Sequence, residues 1–197
     1  MKTMIFFALF LLLFSACAKT VPDEIVPPIA PPSPESAPDQ KPEEEAWQGI
    51  TEMKLTSSAF EYGGSIPEQY TCDGRNINPP LKMDDFPSET RSFALIMEDP
   101  DAPVGTFVHW IVWDLSPESR GIPEKAQLLN QGMTSFNTPG YGGPCPPSGT
   151  HRYFFKVYAL DTQLNLPSVT RKNHLEQAMQ GHILAEAELM GTYERGS

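Results

Sequence analysis

The chain has 197 residues, 21 of them proline, and a formal net charge of −11 from 14 Lys and Arg against 25 Asp and Glu. Nucleic acid is excluded as an expected partner, because a phosphate backbone needs a basic face and the sequence holds no Lys/Arg cluster. The length suits one domain with an appendage, and three cysteines are too few for a small disulfide scaffold.

Met1-Lys2-Thr3 carries one positive charge, and Met4 to Phe14 then runs apolar. The run is shorter than the roughly 20 residues a bilayer span needs and fits the hydrophobic region of a secretory signal. Ser15-Ala16-Cys17 follows directly. Small residues before a cysteine in this place resemble a bacterial lipobox, with Phe14 where leucine is usual. The resemblance implies a signal peptide over 1–16 and a lipidated Cys17 as the first mature residue. Ala18 after the cysteine, instead of Asp, implies outer-membrane sorting and a lipid-anchored location in the bacterial envelope, facing periplasm or surface. Several acyl chains suffice for stable anchoring where one is marginal.

Residues 17–47 read as a tether. Eight prolines from Pro22 to Pro42 alternate with Ser, Ala and acids, and Glu43-Glu44-Glu45 closes the stretch. Such a segment has little to bury and extends at about 3.1 Å per residue. Residues 1–47 hold three lysines against seven acids, which leaves a net −7 for the remainder. An acidic domain is repelled by anionic lipids, so the lipid alone is expected to hold it at a membrane.

Residues 48–197 carry the globular pattern, long enough for one real core. Strands are predicted at Ser92–Met97, Thr106–Trp113 and Arg152–Leu160, with a weak edge strand over Met53–Phe60. A helix is predicted over Arg171–Gln180, capped by Ser168 or Thr170 and stopped by Gly181. Ile183 to Leu189 alternates as a last strand. No βαβ rhythm appears, so an antiparallel or mixed β-sandwich is expected.

Polar residues out of place in strands mark a candidate site. His109 sits in mid-strand, His151 and Tyr153 open another strand, and Asp99 leads into Pro100-Asp101-Ala102-Pro103. The prolines fix backbone angles around Asp99 and Asp101, and the Ala102–Pro103 bond is a candidate for cis. Gly142 to Gly149 combines glycines that admit close backbone approach with prolines that stiffen a wall. Imidazole, phenol and backbone N–H donors beside such a wall suit a small anionic head group, with Asp99 orienting one imidazole.

Asp99-Pro100-Asp101-Ala102-Pro103, His109-Trp110, Gly143-Pro144-Cys145-Pro146-Pro147 and His151-Arg152-Tyr153 resemble the phosphatidylethanolamine-binding protein family. Tyr70 to Gly74, Asn78 to Leu81, Tyr158 to Asp161 and Gly181 to Ala185 are similar to its bacterial, Raf-kinase-inhibitor-like branch. The resemblance covers about residues 52–195. It implies a mainly β, Greek-key sandwich with a short C-terminal helix and an anion pocket lined by Asp99, His109, Gly143, Pro146, Pro147, His151 and Tyr153. Tyr193 resembles a further pocket tyrosine, and Cys145 stands where animal members usually carry glycine. Family members bind phosphate-like head groups and often act by inhibiting kinases or proteases. The kinase role belongs to eukaryotic members, so a protein partner is an expectation of the family alone.

With Cys17 acylated, Cys72 and Cys145 remain, and two readings stay open. One is a disulfide in an oxidising compartment. The other is a free Cys145 thiol acting as nucleophile beside His109 or His151, which would make the pocket a hydrolase. Asp99, His109, His151 and Cys145 are metal-compatible ligand types, yet no tight spacing such as CxxC or HExxH exists. The reading carried forward is a non-enzymatic anion-binding protein without metal or cofactor.

Overall fold

In a computed structural model, which describes residues 52–196, the longest apolar run forms strand β3 (Ser92–Asp99), and all its residues are buried. The signal peptide, Cys17 and tether lie outside the described residues. Phe93, Leu95 and Met97 point into the main core, while Ala94 and Ile96 enter a second apolar cluster on the opposite face. Cover on both faces is why this strand reads as an unbroken run and not as an alternation.

The other strands are β1 (Lys54–Thr56), β2 (Leu81–Asp84), β4 (Phe107–Leu115), β5 (Gly121–Ile122), β6 (Thr150–Leu160) and β7 (Ile183–Glu194), with helix α1 (Lys172–Met179) before the last. They make a sheet ordered β4-β3-β6-β7 and a smaller one ordered β1-β2-β5, every neighbouring pair antiparallel. Leu55, Leu81, Met83 and Ile122 from the small sheet, with Met53 just before it, meet Phe93, Leu95, Met97, Val112, Phe155 and Val157 from the large one. The fold is therefore a mainly β sandwich with one short helix. Leu175 and Met179, one helical turn apart, seat α1 against Ala94, Ile96, Ile111 and Trp113 on the outer face of the large sheet.

Several boundaries differ from expectation for identifiable reasons. β1 stops at Thr56 because the Ser57 hydroxyl donates to the Pro80 carbonyl at 2.6 Å and accepts from Ala59 N–H at 3.1 Å. That local bonding competes with a strand ladder. β2 and β5 went unpredicted, since four and two residues are too short to show a period. β7 runs past Leu189 to Glu194 because Gly191 packs where a Cβ would lie 2.6 Å from Ile66. Neither Ser168 nor Thr170 caps α1. Arg171 occupies that position without a side-chain cap, and Thr170 is tied into the neighbouring segment, its carbonyl accepting from Met133 N–H at 2.8 Å. Gly181, at φ +79°, stands just past the helix end. Ala102–Pro103 is trans, as is every peptide bond among the described residues.

Phe93 has no exposed surface and packs edge-on against Phe86 with ring centroids 4.9 Å apart. Phe93→Ala is expected to cost about 3–5 kcal/mol of stability, read as a lowered urea midpoint with an unchanged slope.

Candidate functional site

β3 and β4 change register between Met97, which faces Trp110, and Glu98, which faces Val108. His109 is the extra residue, a β-bulge that places two neighbours on one side of the strand. Trp110 enters the main core and Ile111 the outer cluster. The bulge turns His109 toward Tyr153 of β6, with ring centroids 5.2 Å apart and nearly perpendicular.

His109 is only 3% exposed. Its Nδ1 lies 2.7 Å from the Gly142 carbonyl oxygen, and Gly142 N–H donates back to the His109 carbonyl at 3.0 Å. A carbonyl only accepts, so Nδ1 carries the hydrogen and a neutral ring keeps its lone pair on Nε2. Burial lowers the imidazole pKa below its usual value, against the opposing pull of the Gly142 carbonyl and the Asp99 charge.

Asp99, at the end of β3, is 3% exposed, and one of its oxygens accepts from His151 Nδ1 at 2.7 Å. Its other oxygen accepts from Asp101 N–H at 2.8 Å, which folds the chain over Pro100. Asp101 turns outward to the Arg152 guanidinium, accepting from Nη2 at 2.7 Å and Nε at 2.9 Å. That hydrogen-bonded pairing holds the Asp101 carboxyl at about 2. The two acids of the Asp-Pro-Asp motif thus divide. One orients a buried imidazole, and the other latches the turn to β6 from outside.

Tyr153 is fully buried, and its hydroxyl has no hydrogen-bond partner among the described residues. Burial, reinforced by the Asp99 charge, pushes the phenol far above its usual pKa, while the nearby Cys145 backbone amide pulls slightly the other way. Neither Asp99 nor Cys145 reaches hydrogen-bonding geometry with it.

Tyr193 of β7 stands directly opposite His151 in register, but its hydroxyl donates to Asp73 at 2.9 Å. Pro146 is buried and Pro147 exposed in the loop after Cys145. Gly143 is buried for a reason different from the expected ligand approach. A Cβ there would lie 2.3 Å from the Tyr70 carbonyl oxygen and 2.9 Å from the Thr71 Cα, so glycine admits the neighbouring turn. Gly143 N–H donates to Asn76 Oδ1 at 2.7 Å, and Cys72 and Cys145 are joined as a disulfide.

Three contributors escaped the sequence reading. Phe107 and Phe136 pack around the His109 ring at centroid distances of 5.1 and 5.4 Å. Asn76, at φ +52°, holds the loop from 67 residues away. Only its position in a turn-rich stretch hinted at a role. A surface hollow of about 680 Å³ runs along β1 beside Lys156, Tyr158 and Glu186 and touches none of this constellation. Chemistry, in the form of buried donors, marks the site more clearly than volume does. No three His, Cys, Asp or Glu side chains are grouped to hold a metal among the described residues.

Residues 56–194 match the sequence profile of the phosphatidylethanolamine-binding protein family. A UPF0098 protein of Methanothermobacter thermautotrophicus is 48% identical over 151 residues, covering 73% of this chain and 100% of its own. A Chlamydia muridarum UPF0098 protein is 50% identical over 149 residues, covering 73% of this chain and 99% of its own. Among solved structures, the phosphatidylethanolamine-binding protein homologue CT736 of Chlamydia trachomatis superposes with a TM-score of 0.72 at 47% identity, covering 74% of this chain and 99% of that one. E. coli YbcL superposes at 0.68 with 29% identity over the same shares. The chain belongs to the phosphatidylethanolamine-binding protein family, and its curated relatives here are of the UPF0098 type.

Gly143→Ala is expected to cost about 1–3 kcal/mol, the range for forcing extra volume into a packed site. Gly143 does not lie at positive φ, so the cost is steric, and thermal unfolding against the unaltered protein checks it.

Proposed function

We propose that the domain binds a small phosphate-like anion between His109, His151 and Tyr153 and performs no chemistry on it. The observation that carries this reading is the Tyr153 hydroxyl, a fully buried donor without an acceptor. Leaving such a group unpaired costs about 1–3 kcal/mol, and an anionic oxygen beside it would remove that cost. Both imidazoles use Nδ1 elsewhere, on Gly142 and Asp99, which leaves Nε2 of each for a ligand. A neutral His109 offers a lone pair there, so an anion must bring a proton with it.

The hydrolytic alternative needs a free Cys145 thiol, and the bond to Cys72 counts against it. We further assign the chain to the Raf-kinase-inhibitor-like branch on the motifs quoted above. We also place it, lipid-anchored through Cys17, in a bacterial envelope. Lys2, the apolar Met4–Phe14 run and Ser15-Ala16-Cys17 support that location. The Cys72–Cys145 bond fits it as well, because disulfides persist in oxidising compartments. A protein partner meeting the same face remains part of the proposal through the family alone.

Two outcomes test the anion site. Tyr153→Phe is expected to weaken sulfate or phosphate binding about tenfold, or ~1.4 kcal/mol, while leaving the ligand-free protein equally stable or more so, since an unpaired hydroxyl is removed. Calorimetric titration and thermal unfolding read the two effects, and a variant that is destabilised with unchanged affinity would overturn the reading.

The second outcome concerns pH. The free His109 pKa is lowered, and a bound anion raises it, so protons are taken up on binding. Sulfate does not titrate in this range. Its affinity should therefore rise as pH falls from about 8 to 5.5, by up to tenfold per unit between the bound and free values. In His109→Gln most of that slope should vanish. A flat profile in the unaltered protein contradicts the proton-coupled site.

A further inference from the structure

The loop that supplies Gly142 to His109 is fastened to one place, the turn formed by residues 70–76. Four fastenings are present. The Tyr141 hydroxyl donates to the Tyr70 carbonyl at 2.7 Å, Gly143 N–H donates to Asn76 Oδ1 at 2.7 Å, Cys72 N–H donates to the Pro144 carbonyl at 3.0 Å, and the Cys72–Cys145 disulfide closes the set. Three are hydrogen bonds, each of modest net strength. The fourth is covalent and joins residues 73 positions apart. The opposite margin of the loop carries the site, with Gly142 on the His109 ring and the Cys145 backbone beside the Tyr153 hydroxyl.

The disulfide is not sealed away. Cys145 is exposed and Cys72 half-buried, in contrast to His109, His151, Asp99 and Tyr153, which are all nearly closed from solvent. The exposed Cys145 residue is thus the side of the bond open to an attacking thiolate, and access is a main determinant of exchange.

We propose that the Cys72–Cys145 disulfide is a redox-addressable clamp on the anion site, its partner being a dithiol reductant, and that reducing it loosens the 141–147 loop and weakens anion binding. The inference rests on the anion-site reading given above. In the step itself, one thiolate of the dithiol attacks Cys145 Sγ. The S–S bond breaks, its electron pair leaves on Cys72 Sγ, and that sulfur takes a proton. The reductant's second thiolate then attacks its own sulfur in the mixed disulfide, releasing Cys145 as a thiolate that is protonated in turn. Two electrons and two protons pass to the protein, and the dithiol becomes a disulfide.

With the bond open, only the three hydrogen bonds hold the loop to the 70–76 turn. The Gly142 carbonyl and the Cys145 amide then sample a range of positions, and the ligand must order them on binding. Lost preorganisation appears as lost affinity.

The experiment uses the folded protein oxidised, reduced with dithiothreitol, and reoxidised, together with the double variant Cys72→Ser/Cys145→Ser. Amide hydrogen exchange at Gly142, Gly143 and Cys145 (Ser in the variant), and titration with sodium sulfate, are read on each form. Expected are at least tenfold faster exchange at these amides on reduction, about tenfold weaker sulfate binding, and recovery of both on reoxidation. The double variant should match the reduced form while still unfolding cooperatively. Unchanged exchange overturns the clamp, and faster exchange with unchanged or tighter sulfate binding overturns its control of the site. If the oxidised protein binds no sulfate, the anion-site reading fails and control of anion binding fails with it. Exchange then decides separately whether the bond orders the loop.

Discussion

One inserted residue in β4 sets the geometry on which the site depends. Without the bulge, strict alternation would put His109 on the face of Ile111, beneath α1 and among apolar side chains. With it, the imidazole swings inward beside Tyr153 and can hydrogen-bond the Gly142 carbonyl. Each consequence follows from the last. The inward ring is buried, burial disfavours its protonated form, and the fixed Nδ1–H leaves Nε2 as the basic atom of a ring that packs edge-on against Tyr153. A reversal of the tautomer would require breaking the Gly142 bond, so the backbone of a distant loop dictates which nitrogen can take a proton.

Ordinary alternation along β3, whose register with β6 is unbroken, gives its adjacent acids opposite duties. Asp99 faces inward and orients His151. Glu98 faces outward, where Lys156 of β6 and Lys172 of α1 both donate to it. Burial pushes the Glu98 carboxyl upward, but the two lysines outweigh it and its pKa falls below the usual value. The pairing fixes the first turn of α1 to the sheet, and with Leu175 and Met179 it covers the outer face of β3. A strand buried on both sides resists local opening, which suits an element that must hold a carboxylate in place at its end.

How much of this was legible in the chain depends on whether the signal was local. β3, β4, β6 and α1 showed in composition because their burial is continuous or periodic over many residues. β2 and β5 did not, being held by partners and not by pattern. For the site, residue types out of place in strands pointed to Asp99, His109, His151 and Tyr153. The division of Asp99 from Asp101 was not readable, because it depends on Arg152 lying across the sheet. Gly143 was expected to admit a ligand, and what lies against it in the structure is the backbone of Tyr70 and Thr71. Phe136 and Asn76 act through contacts formed only when loops far apart in sequence meet, so no spacing rule exposes them.

Charge frames the remaining tension. The domain is acidic, so an anion approaching the site proposed above meets a repulsive field once it comes within about 10 Å of the surface at ordinary ionic strength. Long-range attraction therefore adds nothing, and recognition must come from groups at contact distance. In the proposed site two oriented imidazoles and an unpaired phenol, nearly closed from water, would supply that kind of short-range interaction, because a hydrogen bond to an ion strengthens where water is excluded. Such a site discriminates by fit more than by charge. An anion that cannot pair with the Tyr153 hydroxyl leaves the same buried donor unpaired that the empty protein already tolerates, and so gains little. In that proposed site selectivity resides in the placement of a single hydroxyl, and that placement is inherited from the strand register of β6 and from the loop that carries Cys145.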